Sequence, residues 1–156
     1  MVRGQLKPDR IAPVVQETSV DREKEGGGMS EVRALIVDDS SVMRKIVERA
    51  LRQAGLESLV VYEAGSGTEG LDLLRGQRVD LILSDINMPS MDGLEFLRQI
   101  RLQDLAQGTP VVMITTESSE EHVRQAIQAG ARGYIRKPFT AEQVKERVLP
   151  LVSTKS

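Results

Sequence analysis

Carboxylate side chains follow two short apolar runs of the sequence, at the point where each run ends. Asp38 and Asp39 come directly after the run at 34–37, and Asp85 comes after the run at 79–84. If both runs are parallel strands of one open sheet, their carboxyl ends bring the three carboxylates into a single crevice. Carboxylates so close together repel one another and need a cation or a proton to coexist at neutral pH. Because no cysteine or histidine lies nearby, these oxygen donors favour Mg²⁺.

A hydroxyl and an ammonium group occupy the ends of two further runs. Thr115 follows the apolar run at 110–114, and Lys137 follows the segment 133–136 and precedes Pro138. A lysine ammonium is a point charge that can hold a phosphoryl oxygen. Taken singly, the threonine could simply favour a strand and the lysine could be a solvated surface residue. Together with the carboxylates, they predict a crevice that binds Mg²⁺ and phosphate.

Short apolar runs alternate with amphipathic segments from Glu31 onward, which indicates alternating strands and helices. The predicted strands are 33–38, 59–64, 79–84, 110–115 and 133–136. The predicted helices are 41–54, 67–75, 93–103 and 119–129, with a last helix after Thr140. Such alternation with wholly apolar strands predicts a parallel sheet covered on both faces. We therefore expect an α/β fold, a flavodoxin-like doubly wound sheet of five parallel strands in the order 2-1-3-4-5, with five helices.

Capping residues precede the predicted helices, and one of them offers a simpler explanation of the acidic pair. Ser40 is a good N-cap residue, so Asp38 and Asp39 could belong to a turn that only caps the first helix. The other predicted caps are Asp92 and the capping boxes Ser118–Glu121 and Thr140–Gln143.

Near the end of the last helix, Pro150 should kink or end that helix, because proline removes a backbone hydrogen bond and clashes one turn back.

The composition limits the classes of protein and of site. The chain of 156 residues has no cysteine and one histidine, which excludes disulfides, thiol catalysis and metal sites built from several histidines. With 21 basic and 23 acidic residues, and no basic cluster, we expect no nucleic-acid partner. The longest wholly apolar run has four residues, against roughly 20 for a membrane helix, and the N-terminus lacks the apolar region of a signal peptide. We expect a cytoplasmic protein with no membrane segment.

The first 28 residues differ in composition from the rest of the chain. Pro8, Pro13 and the glycines at 26–28 interrupt every helical or strand period, and five basic residues balance five acidic ones. Such a segment buries too little apolar surface to offset the entropy of ordering it. The sequence therefore predicts a disordered N-terminal extension at 1–28 and one domain at 29–156.

Four segments together resemble the receiver domain of bacterial two-component response regulators. They are LIVDDSSVMRKIV (35–47), LILSDINMPSMDGLEFL (81–97), VVMITTES (111–118) and AGARGYIRKPFTAEQV (129–144). The likeness covers about residues 31–149. Within the family, the sequence is most similar to the single-domain chemotaxis (CheY-like) type. Because four separate motifs stand in the right order and spacing, the resemblance is highly specific.

The resemblance implies a phosphorylation site with a bound metal. It makes Asp85 the residue that accepts a phosphoryl group from the phosphohistidine of a sensor kinase, in a Mg²⁺-dependent reaction. Asp39, Asp85 and the backbone carbonyl of Asn87 would bind the Mg²⁺ directly, and Asp38 mostly through coordinated water. With the metal, Lys137 would neutralise the charge that develops on the phosphoryl oxygens.

The resemblance also implies how phosphorylation changes the effector-binding surface and how the protein is dephosphorylated. The Thr115 hydroxyl would move towards the phosphoryl group, and Tyr134 would rotate from an exposed to a buried position, although it could simply be a strand aromatic. An effector would bind the surface formed by 119–149. Asn87 and Glu117 would tune dephosphorylation, and their types resemble the rapid chemotaxis proteins. The protein is thus expected to be a monomeric signalling switch rather than an enzyme, one that catalyses its own phosphorylation and dephosphorylation.

Two other functions fit parts of the pattern. A receiver can also serve as a phosphorelay intermediate or a phosphate sink with no effector of its own. A phosphatase of the haloacid-dehalogenase type also has an aspartyl nucleophile on a doubly wound sheet. That class needs a second acid two residues after the nucleophile, where this chain has Asn87 after Asp85, which argues against it.

Overall fold

The computed structural model describes residues 31–116 and 119–152. The predicted disordered extension at 1–28 lies outside these residues and stays a prediction. Glu117 and Ser118 also lie outside them. None of the helices within the described ranges is long and apolar enough to cross a membrane.

Five strands and five helices alternate along the described residues. In chain order they are β1 (Val32–Val37), α1 (Ser41–Gln53), β2 (Leu59–Ala64), α2 (Gly67–Gly76), β3 (Leu81–Ser84), α3 (Gly93–Leu102), β4 (Val111–Thr115), α4 (Glu120–Gln128), β5 (Gly133–Arg136) and α5 (Ala141–Val152). Neighbouring strands are parallel, and their order across the sheet is β2-β1-β3-β4-β5. The predicted flavodoxin-like fold, with five helices and the strand order 2-1-3-4-5, is confirmed.

Different helices cover the two faces of the sheet. Ala34 and Ile36 of β1 pack in a core cluster with residues of α1 and α5. Leu35 and Val37 point to the other face and pack with residues of α2, α3 and α4. This division follows from the two-residue repeat of a strand. Since all four side chains are buried, β1 has apolar contacts on both faces, as a central strand of a parallel sheet should.

The register of the strands decides which side chains leave the sheet together. Val37 of β1 is paired with Ser84 of β3, so the residues that follow them, Asp38 and Asp85, emerge side by side. In the same way, Thr115 of β4 is paired with Arg136 of β5, which places Lys137 at the same edge. The parallel pairing therefore places the polar side chains at the ends of four strands along one edge of the sheet.

Side-chain caps begin the helices, with one difference from the sequence prediction. The Ser40 hydroxyl accepts a hydrogen bond from the Met43 amide, as predicted for the first helix. Before α4 the cap is Ser119, whose hydroxyl accepts from the amides of residues 121 and 122, so the prediction of Ser118 as the cap is wrong. Two adjacent serines satisfy the same sequence pattern, and only the helix start decides between them. The Asp92 cap and the Thr140–Gln143 box are confirmed.

The last helix continues through its proline. Pro150 lies inside α5, which continues to Val152, so of the two predicted effects the proline does not end the helix at its own position. Val148 and Val152 are buried one turn apart in the core cluster that α5 shares with α1. Since Pro150 itself is exposed and sits in the final turn, core packing of its neighbours holds that turn in place.

Candidate functional site

Three carboxylates meet in a crevice at the carboxyl edge of the sheet. Asp38 and Asp39 follow β1, and Asp85 follows β3. Each offers a carboxylate oxygen that lies within 4.8 Å of those of the other two. Asp38 and Asp85 are buried, at 4% and 7% exposure, whereas Asp39 is exposed. The crevice therefore has two inner acids and one at its mouth.

Lys137 joins the two inner acids. Its Nζ donates to Asp38 Oδ2 at 3.0 Å and to Asp85 Oδ2 at 3.1 Å, and the side chain is 11% exposed. Burial by itself lowers the pKa of the Lys137 ammonium, but the hydrogen bond that it donates to Asp38 and the charge of Asp85 outweigh burial and raise the pKa above its ordinary value of 10.5. Lys137 is therefore a permanent cation in the crevice at neutral pH.

Asp38 is held at each of its four polar atoms. Its amide donates to the Ala64 carbonyl of β2 at 3.1 Å, and its carbonyl accepts from Arg44 Nη1 at 2.6 Å. Its Oδ1 accepts from the Ser40 amide at 2.9 Å, and its Oδ2 accepts from Lys137. These partners come from a strand, a helix, a turn and the end of β5. They therefore hold both the backbone and the carboxylate of Asp38 in place.

Asp85 is fixed by its neighbours along the chain and across the sheet. Its amide donates to the Val37 carbonyl at 3.0 Å, and its Oδ1 accepts from the Asn87 amide at 3.2 Å. Its Oδ2 faces Lys137. Gly93, the first residue of α3, packs so closely on the Asp85 carbonyl that a Cβ there would overlap it. The Asp85 backbone is thus held by both β1 and α3.

Thr115 lies beside the acids at the end of β4. It is fully buried, and its hydroxyl lies 3.5 Å from Asn87 Nδ2, a long contact. The Lys137 amide donates to the Thr115 carbonyl at 2.9 Å, just before the cis Lys137–Pro138 bond. The structure therefore brings Asp38, Asp39, Asp85, Thr115 and Lys137 together, with Asn87 at their edge.

Tyr134 lies on β5, in the strand that leads to Lys137. The ring packs against the core cluster shared by α2, α3 and α4, and the hydroxyl oxygen is buried. The same tyrosine lines a surface groove of about 410 Å³ with residues of α4 and β5, namely Glu120, Val123, Arg124 and Arg136. Glu117, predicted to tune dephosphorylation, lies outside the described residues.

The donors of the crevice fit a magnesium ion. Three carboxylates face one ammonium, so the cluster keeps an excess of negative charge that a divalent cation can balance. All the donors are hard oxygens, and the exposed Asp39 leaves room for coordinated water, as Mg²⁺ requires. The alternative in which the acidic pair only caps α1 is insufficient, because Ser40 provides that cap while the acids meet Asp85.

Two residues that position the site were missed by sequence reasoning. Arg44 contacts the Asp38 carbonyl, and Gly93 contacts the Asp85 carbonyl. For Gly93 a signal was present, since a glycine directly after a helix N-cap can mark a close backbone approach. For Arg44 there was none, because an arginine in the first two turns of an amphipathic helix is typical of a solvated face.

A family model described as "Response regulator receiver domain" matches residues 34–149. This chain belongs to the response regulator receiver family. The match extends from β1 into α5 and includes every residue of the crevice described above. The family predicted from the four sequence motifs is confirmed.

Similar proteins are chemotaxis receivers. The chain is 39% identical over 117 residues to the chemotaxis protein CheY of Pseudomonas aeruginosa, a match that covers 75% of this chain and 93% of that protein. It is 42% identical over 117 residues to CheY-3 of Vibrio cholerae, covering 75% of this chain and 88% of that protein. The solved structure of Vibrio cholerae CheY4 has a TM-score of 0.70 at 36% identity, with 78% of this chain and 99% of that chain covered. The receiver is therefore of the CheY-like chemotaxis type.

Membership of this family sets the general function. Receiver domains of the CheY type are signalling proteins that accept a phosphoryl group in two-component signalling, and they generally bind Mg²⁺ at an acidic pocket. The receiver protein described here has such a pocket at the carboxyl edge of its sheet. Its general function is phosphoryl acceptance in two-component signalling.

Proposed function

We propose that this receiver is a chemotaxis-type switch that takes a phosphoryl group from a sensor histidine kinase onto Asp85 and then binds an effector. The observation that carries the proposal is the bridge from Lys137 to Asp38 and Asp85, beside the exposed carboxylate of Asp39. This arrangement offers an acceptor oxygen, a fixed cation and an open acidic ligand within a few ångströms. The switch acts as a monomer in the cytoplasm.

Phosphoryl transfer joins an Asp85 carboxylate oxygen to the phosphorus of the donor. The new O–P bond forms as the P–N bond of the phosphohistidine breaks, and the electron pair of that bond returns to the imidazole nitrogen. Lys137 lies at one Asp85 oxygen, where its charge stabilises the negative charge that develops on the phosphoryl group. The backbone amide of Asn87 donates a hydrogen bond to the other Asp85 oxygen, so the carboxylate keeps one orientation during the transfer.

The metal ligands divide into direct and indirect ones. Asp39, Asp85 and the Asn87 carbonyl would hold Mg²⁺ directly, and Asp38 would act mostly through coordinated water. When bound, Mg²⁺ supplies positive charge that neutralises phosphoryl oxygens. The exposure of Asp39 at the mouth of the crevice supports its role as a direct ligand, because a carboxylate there can bind the ion together with water.

The phosphoryl state is read through Thr115 and Tyr134. The phosphoryl oxygens accept a hydrogen bond from the buried Thr115 hydroxyl, and the resulting shift biases the packing of Tyr134. That ring lies between the core and the groove beside α4, so its position alters the 119–149 surface where the effector binds. Asn87 and Glu117 keep the state brief by admitting a water that attacks the phosphorus. As the new O–P bond forms, the bond from the Asp85 oxygen to phosphorus breaks, so the carboxylate is restored and inorganic phosphate leaves.

Mass spectrometry after incubation with acetyl phosphate and Mg²⁺ tests the proposal. We expect a single added phosphoryl group on the wild-type chain and none on Asp85→Asn, which lacks the nucleophilic carboxylate. Asp80→Asn is the matched control, because Asp80 lies at the amino end of β3, where it accepts a bond from the Arg33 amide. It should be phosphorylated like the wild type.

Three results would contradict the proposal or change its form. An adduct of equal yield on Asp85→Asn would show that another residue is the acceptor. Multiple turnover on several phosphate esters would favour a phosphatase of the haloacid-dehalogenase type. A pull-down in which phosphorylated and unphosphorylated protein capture the same partners would favour a relay intermediate or phosphate sink.

A further inference from the structure

We propose that Arg44 of α1 is a positioning residue for the metal ligands, which it holds through the backbone of Asp38. This inference rests on the proposed function, since it concerns how the same crevice binds Mg²⁺. Arg44 touches neither Asp39 nor Asp85 in the contacts described above. It acts through the peptide unit that leads from one acid to the next.

The Arg44 guanidinium is fixed at two points. Its Nη1 donates to the Asp38 carbonyl at 2.6 Å, and its Nε donates to Glu63 Oε1 at 2.8 Å. The two side chains are only 17% and 27% exposed, so this is a partly buried ion pair rather than a solvated one. Glu63 belongs to β2, so Arg44 fastens the loop after β1 to the neighbouring strand through its planar fork of donors.

The Asp38 carbonyl is part of the planar peptide unit that extends to the Asp39 Cα. Because that unit is rigid, the direction of the carbonyl also fixes the position of the Asp39 Cα. The other three contacts of Asp38 hold its amide and its carboxylate, and none of them holds this carbonyl. The guanidinium therefore determines how the exposed ligand, Asp39, is aimed at the inner pair.

Geometry and charge predict opposite effects for the loss of this arginine. A cation near three carboxylates weakens the attraction of the cluster for Mg²⁺, so removing its charge alone should tighten metal binding. Removing a group that orients the ligands should weaken binding instead, typically by 10-fold or more for outer partners of metal ligands, as an order of magnitude. The sign of the change separates the two roles.

Calorimetric titration of the unphosphorylated full chain with Mg²⁺ tests the proposal. We expect the Kd to rise about tenfold in Arg44→Met. In Arg44→Lys we expect a smaller rise, because one ammonium keeps the charge but lacks the fork that spans Asp38 and Glu63. Lys45→Met is the matched control: Lys45 Nζ contacts the other oxygen of Glu63 at 2.7 Å but not Asp38, so the Kd should stay the same or fall.

The outcomes separate this inference from the proposed function. An unchanged or lower Kd in Arg44→Met, or wild-type affinity in Arg44→Lys, would overturn the positioning role. An equal rise in Lys45→Met would also overturn it. Urea unfolding monitors the fold of each variant, and if Arg44→Met does not fold, the Kd of Arg44→Lys decides. If the wild type itself binds no Mg²⁺ and takes no phosphoryl group, the proposed function fails instead.

Discussion

At the scale of single residues, Lys137 combines two opposing effects. Its burial disfavours the charged ammonium, yet the contacts with Asp38 and Asp85 favour it more, and the net result is a raised pKa. The same contacts keep two carboxylates together that would otherwise repel each other. Lys137 thus stabilises the cluster of acids and, in the proposed function, provides the cation beside the phosphoryl group.

The raised pKa of Lys137 gives a pH dependence of stability with a definite sign. A group whose pKa is higher in the folded state contributes stability that is fully present below its unfolded pKa and lost as the pH rises through the folded pKa. The difference in unfolding free energy between wild type and Lys137→Met should therefore be constant from about pH 8 to 10. It should shrink as the pH rises above 10.5.

Urea unfolding of both proteins across this alkaline range measures the difference. Lys145→Met, which removes an exposed lysine of α5, controls for the loss of a surface charge. The interpretation would be wrong if the Lys137→Met difference stayed constant, or grew, up to the highest pH at which the fold persists.

At the scale of elements, the start of α3 is packed against the strand end that carries Asp85. Asp92 caps the helix, and the Gly93 amide donates to the Ile86 carbonyl at 2.8 Å. A Cβ on Gly93 would also come within 2.8 Å of Ile86 Cα and of the Met113 side chain. The helix can approach this strand end only because residue 93 has no side chain.

We therefore expect Gly93→Ala to lower the free energy of unfolding by about 1–3 kcal/mol, the usual cost of overpacking. The new methyl must displace the Asp85 carbonyl, so the rate of phosphorylation by acetyl phosphate should fall as well. Gly76→Ala is the matched control in α2, because a Cβ there meets nothing within 4 Å. Alanine at 76 should leave stability unchanged or raise it by up to about 1 kcal/mol. Equal unfolding free energies for the two variants would contradict the packing argument.

At the scale of the whole molecule, the paired strands β4 and β5 connect the crevice with the groove lined by Tyr134. Thr115 is at the crevice end of this path, and Tyr134, on the paired strand, is at the groove end. Because β4 is buried along its whole length, a shift at Thr115 has few ways to relax within that strand. The passage of a structural change from the crevice to the groove should therefore depend on the Thr115 hydroxyl.

Hydrogen exchange with and without beryllofluoride, which takes the place of a phosphoryl group on a carboxylate, tests this dependence. In the wild type we expect exchange to change in α4 and β5. Thr115→Val keeps the shape but removes the hydroxyl, and it should abolish most of that change while still binding beryllofluoride. Thr109→Val is the control, since that hydroxyl bonds the Val79 carbonyl near the amino end of the sheet. A full exchange response in Thr115→Val would contradict the coupling.

Much of the fold and the convergence of the site could be predicted because both depend on local pattern and strand direction. Apolar runs such as 34–37 fixed the strands, and parallel pairing then required Asp38 and Asp85 to emerge together. The remainder depends on contacts between distant segments. The reach of Arg44 to the Asp38 carbonyl, and the turn held after Pro150 by core packing, have no signature in the residues beside them.

The contrast between the two adjacent acids has a practical consequence for engineering metal preference. Any substitution at Asp38 disturbs contacts to Lys137, Ser40 and the strand beside it, so a change in metal binding there would be mixed with a loss of architecture. Asp39 is exposed at the mouth of the crevice. In the proposed ligand set, Asp39 is therefore the acid whose charge can be altered without disturbing those contacts, which makes it the position for redesigning selectivity among divalent cations.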